Sequence, residues 1–433
     1  MDPMTRKTTL ANGVRILTHQ VPHVRSVAMG IWVDVGARDE SEEEAGYSHF
    51  LEHMMFKGTK RRSAYELAKA FDAIGGQSNA FTTMETTCYH ARVMDTHLPT
   101  MVDILSDMFL NSCLDPEEIE NERPVIIQEI GMLEDCPEEF AHHLLEKHAW
   151  GEHPLGRSIL GTPKNILSLS SENLSLFFRK HYCPSRVIIS LAGNLEHNQV
   201  LDLLAPAFEQ LPPSPGRPMR HTPVMQKGVR TTVRPIEQVH LCLGAPGLSI
   251  THEDRFAASL LTTILGGNMS SRLFQEIREK RGLAYSVYAF SAGHMDTGMM
   301  GIYAGVAPST VETSAELIHK ELKGLCAEPV TLEELEGARA YTKGNILLSM
   351  ENTENLMVKL AQNEINFGRY VPVEETLAKV DEVSRENILS LACGAFSENN
   401  FLVSVLGPSD NTAALGEKFG ISEKKETAGE KKQ

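Results

Sequence analysis

An internal duplication of the sequence, at a fixed offset of 214 residues, constrains the fold of this chain more than any other feature. The offset pairs segment 170–174 (SSENL) with 384–388 (SRENI), and it pairs Gly193 with Gly407. An apolar run of strand length precedes each of these glycines. Because one offset holds from a helix start through a buried strand to a turn, the pattern favours a duplicated domain. Two copies are too few for a solenoid.

A proline-rich segment separates the two copies and gives the predicted domain boundaries. It lies at 211–225 and is interpreted as a linker. We therefore predict one domain at 1–210 and a homologous second domain at 226–420, both of ordinary domain size. The Lys/Glu-rich tail at 421–433 is predicted to be disordered.

The order of apolar segments predicts the fold class. In the first copy, strands are expected at 13–19 and 27–35, and further strands within 78–94. Helices dominate 98–180, and a closing strand follows at 186–191. The second copy repeats this order. Runs of strands followed by runs of helices indicate an α+β fold. We predict two tandem domains, each with an antiparallel or mixed β-sheet packed with helices.

Charge, hydropathy and cysteine usage exclude several classes of protein. The net charge is −16, whereas nucleic-acid and anionic-membrane partners require a basic face. The sequence contains no apolar run near the roughly 20 residues of a membrane span, and its N-terminus does not resemble a secretory signal. Its seven cysteines form no CxxC pair. These features predict a cytoplasmic protein without nucleic-acid or membrane partners.

The segment His49–Phe50–Leu51–Glu52–His53 carries the strongest chemical signal. On a helix, residues four apart share a face, so both imidazoles can reach one ion, with Glu52 beside them. This H-x-x-E-H order is the inverzincin arrangement of a water-activating zinc site. A third ligand is needed. The residues alone leave it open among the acidic side chains of the following helical stretch: Asp115, Glu117, Glu118, Glu120, Glu122, Glu129 and Glu134.

The string from His49 to Thr59, HFLEHMMFKGT, resembles the pitrilysin family of zinc peptidases, in particular its mitochondrial-processing-peptidase-like branch. The resemblance extends over about 10–408. It implies one Zn²⁺ per chain, with Glu129 as the third ligand because it stands 76 residues after His53. Glu122, seven residues before Glu129, would support the metal ligands without binding the ion itself. Pro124 lies between them and is expected to kink their helix.

The same resemblance assigns residues to substrate binding. Asn79, Ala80 and Phe81 resemble the family's edge strand, to which an extended substrate adds as one more strand. A half-buried structural strand is the alternative, and for Phe81 a place in the core is at least as plausible. Arg278 and Tyr285 resemble the pair that holds the substrate carbonyl and the oxyanion. Their alternatives are a surface arginine and an ordinary strand tyrosine.

These features together predict a zinc metalloendopeptidase that cuts unstructured peptides, with Glu52 as the general base. The second copy has no histidine at 259–265, so only the first can be catalytic. Longer family members close four such domains into a chamber, which suggests a dimer here, homodimeric or with a related chain. Two alternatives stay open. One is a processing peptidase for N-terminal targeting peptides, and the other is a non-catalytic scaffold subunit of the same half-clamshell fold.

Overall fold

The computed structural model describes residues 4–212, 219–409, 413–419 and 421. The chain divides into two compact units, and each is assembled from separate segments of sequence. Unit 1 comprises Met1–Leu133, Glu152–His221 and Gly344–Thr376. Unit 2 comprises Glu134–Gly151, Thr222–Lys343 and Leu377–Gln433.

Unit 1 contains a mixed sheet of six strands in the order β1-β2-β6-β3-β5-β4. Strands β2 and β6 are parallel, and the other neighbours are antiparallel. The central strands β3 and β6 are continuous apolar runs because both of their faces are covered. The strands are β1 Thr5–Thr9, β2 Arg15–Gln20, β3 Ser26–Val33, β4 Gln77–Thr82, β5 Thr87–Met94 and β6 Val187–Gly193.

Unit 2 contains a five-stranded sheet in the order β7-β11-β8-β10-β9. Its only parallel pair among the described strands is β7 with β11. This order reproduces β2-β6-β3-β5-β4 strand for strand, so the duplication read from the sequence is a duplication of topology. The strands are β7 Gly228–Val233, β8 Val239–Pro246, β9 Ala284–Gly293, β10 Gly298–Val306 and β11 Leu402–Gly407.

Helices account for most of the remaining described chain. The helices are α1 Tyr47–Met54, α2 Ala64–Ala73, α3 Leu98–Asn111, α4 Pro116–Asp135, α5 Pro137–Trp150, α6 Pro163–Ser168, α7 Ser171–His181, α8 His197–Phe208, α9 Arg255–Thr262, α10 Val311–Ala327, α11 Leu332–Ser349, α12 Thr353–Phe367, α13 Val373–Glu382, α14 Arg385–Ala395 and α15 Ala413–Lys418. Single 3₁₀ turns lie at Ala37–Asp39, Asp95–His97, Pro154–Gly156, Pro184–Arg186 and Pro308–Thr310. Two π-helical segments lie at Thr263–Gly267 and Phe274–Glu279. Among the described residues, no helix is both long enough and apolar enough to cross a membrane.

The repeated serine motif forms the same helix start in both copies. The Ser170 hydroxyl accepts a hydrogen bond from the Asn173 backbone N–H, and the Ser384 hydroxyl accepts one from the Asn387 N–H. Each serine satisfies a backbone donor that the first turn of a helix leaves unpaired. The helices α7 and α14 that follow lead to the equivalent central strands β6 and β11.

One helix of each copy packs on the sheet of the other copy. Within unit 2, α5 from the first half of the sequence packs against β8 and β11. Within unit 1, α12 from the second half packs against β2, β3 and β6. There Met357 joins a fully buried cluster with Trp32, whose indole N–H donates to the Ser190 hydroxyl at 3.0 Å. Both faces of the first sheet are thereby covered.

The α+β class and the two-domain organisation predicted from the sequence are confirmed by this architecture. The sequence boundaries at 1–210 and 226–420 stay a prediction about the duplicated units, because the compact units interleave along the chain. Part of the predicted linker, 213–218, lies outside the described residues, as does nearly all of the predicted disordered tail at 421–433.

Candidate metal centre

Helix α1 carries the H-x-x-E-H segment, and its first turn is fixed from outside the helix. Gly46 precedes the helix with φ of +96°, and an added Cβ there would lie 2.8 Å from the carbonyl oxygen of Leu160. Only glycine accepts both the backbone angle and the close approach. The buried Glu40 carboxylate accepts from the backbone N–H groups of Gly46 and Ser48 at 2.8 and 2.6 Å. Burial raises the pKa of Glu40 to about 8 despite these hydrogen bonds.

The fold brings together three of the side chains that the sequence singles out. His49 and His53 stand on one face of α1, and Glu129 approaches them from α4. The Nε2 atoms of His49 and His53 lie 3.6 and 3.7 Å from the same Glu129 oxygen, Oε2. Among the described residues, this is the one group of three or more His, Cys, Asp or Glu side chains close enough to hold a metal ion.

This donor set fits a zinc ion. Ligand atoms bonded to one tetrahedral zinc at about 2.0–2.2 Å lie roughly 3.3–3.6 Å apart, which agrees with the separations of the imidazole nitrogens from the carboxylate. Burial, followed by the neighbouring His53, lowers the pKa of His49 to about 4. His49 is therefore neutral at physiological pH, as a metal ligand must be. Two imidazoles and one carboxylate also leave a coordination position open for water.

Glu122 orients one of the two imidazoles. Its Oε1 accepts a hydrogen bond from Nδ1 of His53 at 2.7 Å, which leaves Nε2 of that ring without a proton and facing Glu129. Lys57 forms an ion pair with the other oxygen of Glu122. Burial alone would raise the pKa of Glu122, but the hydrogen bonds from Lys57 and His53 hold it below its ordinary value. Helix α4 runs through Pro124, and Glu122 is aimed at the site.

Glu52 lies beside the ligands and is held by the edge strand β4. The Thr82 hydroxyl donates to Oε2 of Glu52. Burial raises the pKa of Glu52, and the nearby Glu129 acts in the same direction, whereas the Thr82 hydrogen bond and His53 oppose the shift. A carboxylate with a raised pKa is a stronger proton acceptor than a free one, which suits a general base near neutral pH.

The predicted substrate strand forms the edge of the first sheet. Strand β4 pairs with β5, as in Asn79 opposite His90, and lies last in the strand order. Asn79 is exposed and Ala80 packs against the core on the α1 side. Phe81 is half-buried on the opposite face, where its ring meets Trp32 edge-on at 5.4 Å. Phe81 therefore has a packing role whatever else it does.

Arg278 and Tyr285 lie together in unit 2. The guanidinium carbon of Arg278 stands 4.7 Å from the centre of the Tyr285 ring, a cation–π contact. It stands at the same distance from the ring of Phe274. Tyr285 is 81% exposed, so its phenol is available to a partner molecule. The two side chains are therefore in contact with each other, and their role in substrate binding stays a prediction.

Three residues that organise the centre were missed in the sequence. Lys57 stands four residues after His53, where a helical spacing could have pointed to it. Thr82 directly follows Phe81 in the strand already singled out. Glu40 carried no signal, because it lies in the acidic run 39–44 (DESEEE), and such a run is ordinarily on the surface.

Comparison with known proteins identifies the family. A family model described as insulinase (peptidase family M16) matches residues 15–163, and a model described as peptidase M16 inactive domain matches residues 168–341. A Bacillus subtilis protein named an uncharacterized zinc protease is 40% identical, covering 94% of this chain and 99% of its own length. The chain belongs to peptidase family M16.

Two further similar proteins agree with this result. A Streptomyces coelicolor protein with the same kind of name is also 40% identical, over 93% of this chain and 89% of its own length. A solved protease from Helicobacter pylori shares the fold, with a TM-score of 0.86 and 22% identity over 94% of this chain and 100% of its own. The chain is a zinc metalloprotease, as predicted from the sequence. The narrower resemblance to the processing-peptidase branch stays a prediction.

Proposed function

We propose that this M16 protein is a zinc-dependent endopeptidase that hydrolyses unstructured peptides, with one zinc ion per chain held by His49, His53 and Glu129. The observation that carries the proposal is the convergence of two Nε2 atoms on one oxygen of Glu129, with Glu52 alongside. A zinc ion bound there supplies a Lewis acid that activates water and polarises the substrate carbonyl.

The chain's own groups perform the proton transfers. Glu52 takes a proton from the attacking water and delivers it to the nitrogen of the leaving amine. Its hydrogen bond from Thr82 fixes one carboxylate oxygen and leaves the other for this transfer. His53 is held in one orientation by Glu122, so the proton-free Nε2 faces the reacting centre throughout.

The edge strand β4 supplies the binding mode. We propose that an extended substrate pairs with the backbone of Asn79, Ala80 and Phe81, on the side of β4 away from β5. Such pairing depends on the peptide backbone and not on particular side chains, so it favours unfolded substrates of varied sequence. The support is the exposure of Asn79 and the place of β4 at the sheet edge.

Arg278 and Tyr285 complete the proposed site by donating to the substrate carbonyl and the oxyanion. We propose that they act in trans, within a homodimeric chamber, and that a related chain could replace one protomer. Mixing an inactive Glu52→Gln chain with an inactive Tyr285→Phe chain tests this. Random exchange should restore about a quarter of the wild-type rate, because half the dimers then hold one intact site of two. No recovery, with exchange verified, contradicts action in trans.

The endopeptidase proposal is tested with two matched substrates. An internally quenched peptide without stable structure should be cleaved at internal bonds, and a chelator should abolish the cleavage until zinc is restored. The same sequence held inside a folded domain should resist. Removal of single terminal residues, or equal cleavage of the folded form, would contradict the proposal.

A processing peptidase for basic targeting peptides is a second candidate, favoured by the net charge of −16. It predicts faster cleavage of a basic peptide than of a neutral peptide of equal length, with the advantage lost at high salt. Equal cleavage rates for the basic and the neutral peptide would contradict this candidate and leave the general endopeptidase. The scaffold alternative does not explain why ligands, base and supporting carboxylate are all in place. The cytoplasmic location stays a prediction.

A further inference from the structure

Two cysteines that are 67 residues apart in sequence lie side by side in unit 2. The Cys393 thiol donates to the carbonyl oxygen of Cys326 at 3.1 Å, and the Cys326 thiol donates to the carbonyl oxygen of Ala392 at 3.4 Å. Each sulfur therefore reaches the backbone of the other segment.

The two helices hold this arrangement in place. Cys326 lies in the last turn of α10, and Cys393 lies in the last turn of α14. The helices pack against each other, and Ala392 is fully buried. A disulfide needs two Cβ atoms roughly 3.5–4.5 Å apart. The two sulfur–carbonyl contacts hold the cysteines next to each other where the helices pack.

The two thiols differ in exposure, and this difference sets an order of reaction. Cys393 is exposed, whereas Cys326 is partly buried. Burial, followed by the presence of Cys393, raises the pKa of Cys326 to about 11. Thiol–disulfide exchange needs a thiolate and an open line of attack. Cys393 therefore meets an external reagent first, and Cys326 is placed to react second, within the molecule.

We propose that Cys326 and Cys393 are a dithiol modification site, which low-molecular-weight disulfides such as oxidised glutathione convert to an intramolecular disulfide joining α10 to α14. The Cys393 thiolate attacks one sulfur of oxidised glutathione, a new S–S bond forms, and one glutathione thiolate leaves. The Cys326 thiolate then attacks Cys393 Sγ and displaces the second glutathione. The protein loses two electrons and two protons, and the reagent is reduced to two glutathione thiols.

Neither cysteine belongs to the metal ligands, so the site is additional to the peptidase centre. The bond would close a loop through residues 326–393 and tie together the ends of two packed helices. Closing a loop of this length restricts the unfolded chain. The oxidised protein is therefore expected to unfold at a temperature several degrees above that of the reduced protein.

The test is peptide mapping of the full-length protein. Reduced protein is incubated with excess oxidised glutathione, remaining thiols are alkylated, and peptides are identified by mass spectrometry. The wild type should give a cross-linked peptide pair containing Cys326 and Cys393. A Cys326→Ser variant should hold glutathione on Cys393, because the resolving thiol is gone. Exposed Cys113 serves as the internal control and should carry glutathione without a cross-link.

Two results would overturn the proposal. One is wild-type protein that accumulates glutathione on Cys393 without forming the cross-link. The other is a Cys393→Ser variant in which Cys326 is modified as fast as Cys393 is in the wild type. Serine is nearly isosteric and keeps a hydroxyl donor for the neighbouring carbonyl, so the variants should fold. Circular dichroism checks this, and the wild-type map decides the first outcome without any variant.

Discussion

The two copies of the duplicated domain share one strand order but differ where a helix meets the edge strand. In the first copy, α1 presents His49, Glu52 and His53 beside β4, and Thr82 of that strand holds Glu52. In the second copy the corresponding helix is α9, Arg255–Thr262, which contains no histidine and no carboxylate side chain.

The backbone that follows α9 packs directly against the edge strand of the second copy. A Cβ added to Gly266 would lie 2.4 Å from the backbone nitrogen of Ala289 in β9, the strand that takes the place of β4. Helix α11 takes the place of α4, and counting both helices from their first residue puts Asn345, an uncharged amide, at the position of Glu129. The fold therefore does not require the site. Catalysis depends on a few side chains placed beside the edge strand.

The largest expected effect comes from replacing Glu52, the proposed general base in the first copy. Glu52→Gln should lower kcat by about 10²–10⁴-fold because proton transfer loses its acceptor. Bound zinc should stay at the wild-type level, since Glu52 is not a ligand in this account. Steady-state kinetics and metal analysis of the same preparations check both statements. Full activity in this variant would show that Glu52 is not the general base, and the proposed catalytic difference between the two copies would be wrong.

The next-largest effect is expected at Glu122, whose carboxylate accepts a hydrogen bond from His53. Glu122→Gln should weaken zinc affinity by about 10–100-fold, because the imidazole loses its orienting charge. The control is Glu336→Gln in helix α11 of the second copy, where Glu336 pairs with Arg339 on the surface. Competition with a chelator measures the affinity. Equal loss in both variants would mean that the effect is structural.

A third prediction tests the packing of the second copy. Gly266→Ala should lower the free energy of unfolding by about 1–3 kcal/mol, because the added methyl group overlaps the β9 backbone. Gly337→Ala in helix α11 is the control, since its added Cβ would have no neighbour within 4 Å. Urea denaturation compares the two. A neutral Gly266→Ala would show that the second copy has room for a side chain there.

A fourth prediction concerns the pH dependence of stability in the first copy. The folded pKa of Glu40, about 8, lies above its ordinary value of 4.5, so the folded state binds the extra proton between these pH values. Stability should therefore fall as pH rises from about 4.5 to 8, by up to roughly 1.4 kcal/mol per pH unit from this group. Glu40→Gln should flatten that slope. Asp254→Asn, which changes an exposed carboxylate just before α9 in the second copy, is the control, and an unchanged slope in Glu40→Gln contradicts the assignment.

Much of this comparison could be predicted from the sequence. The repeated helix starts at Ser170 and Ser384, the strands that follow them and the helix carrying His49 and His53 were all expected, because local patterns specify them. The helical spacing of the two histidines also predicted their shared face. These features depend on residues close together in the chain.

The remainder depends on contacts between distant segments. An amphipathic pattern shows which face of α5 or α12 is apolar but not which sheet that face will cover, so the exchange of these helices was missed. Glu129 is one of seven acidic residues in its region, and only the resemblance to a known family selected it. The hydrogen bonds of Glu40 arise from a loop that folds back onto α1, which no periodicity reveals.

The most direct test of the central claim is the metal content of three purified proteins, measured by atomic emission after dialysis. The account predicts about one zinc per chain in the wild type and in Glu117→Gln, an exposed control on the same helix, and much less in Glu129→Gln. Zinc retained in full by Glu129→Gln would contradict the account, because the third ligand of the centre would then lie elsewhere.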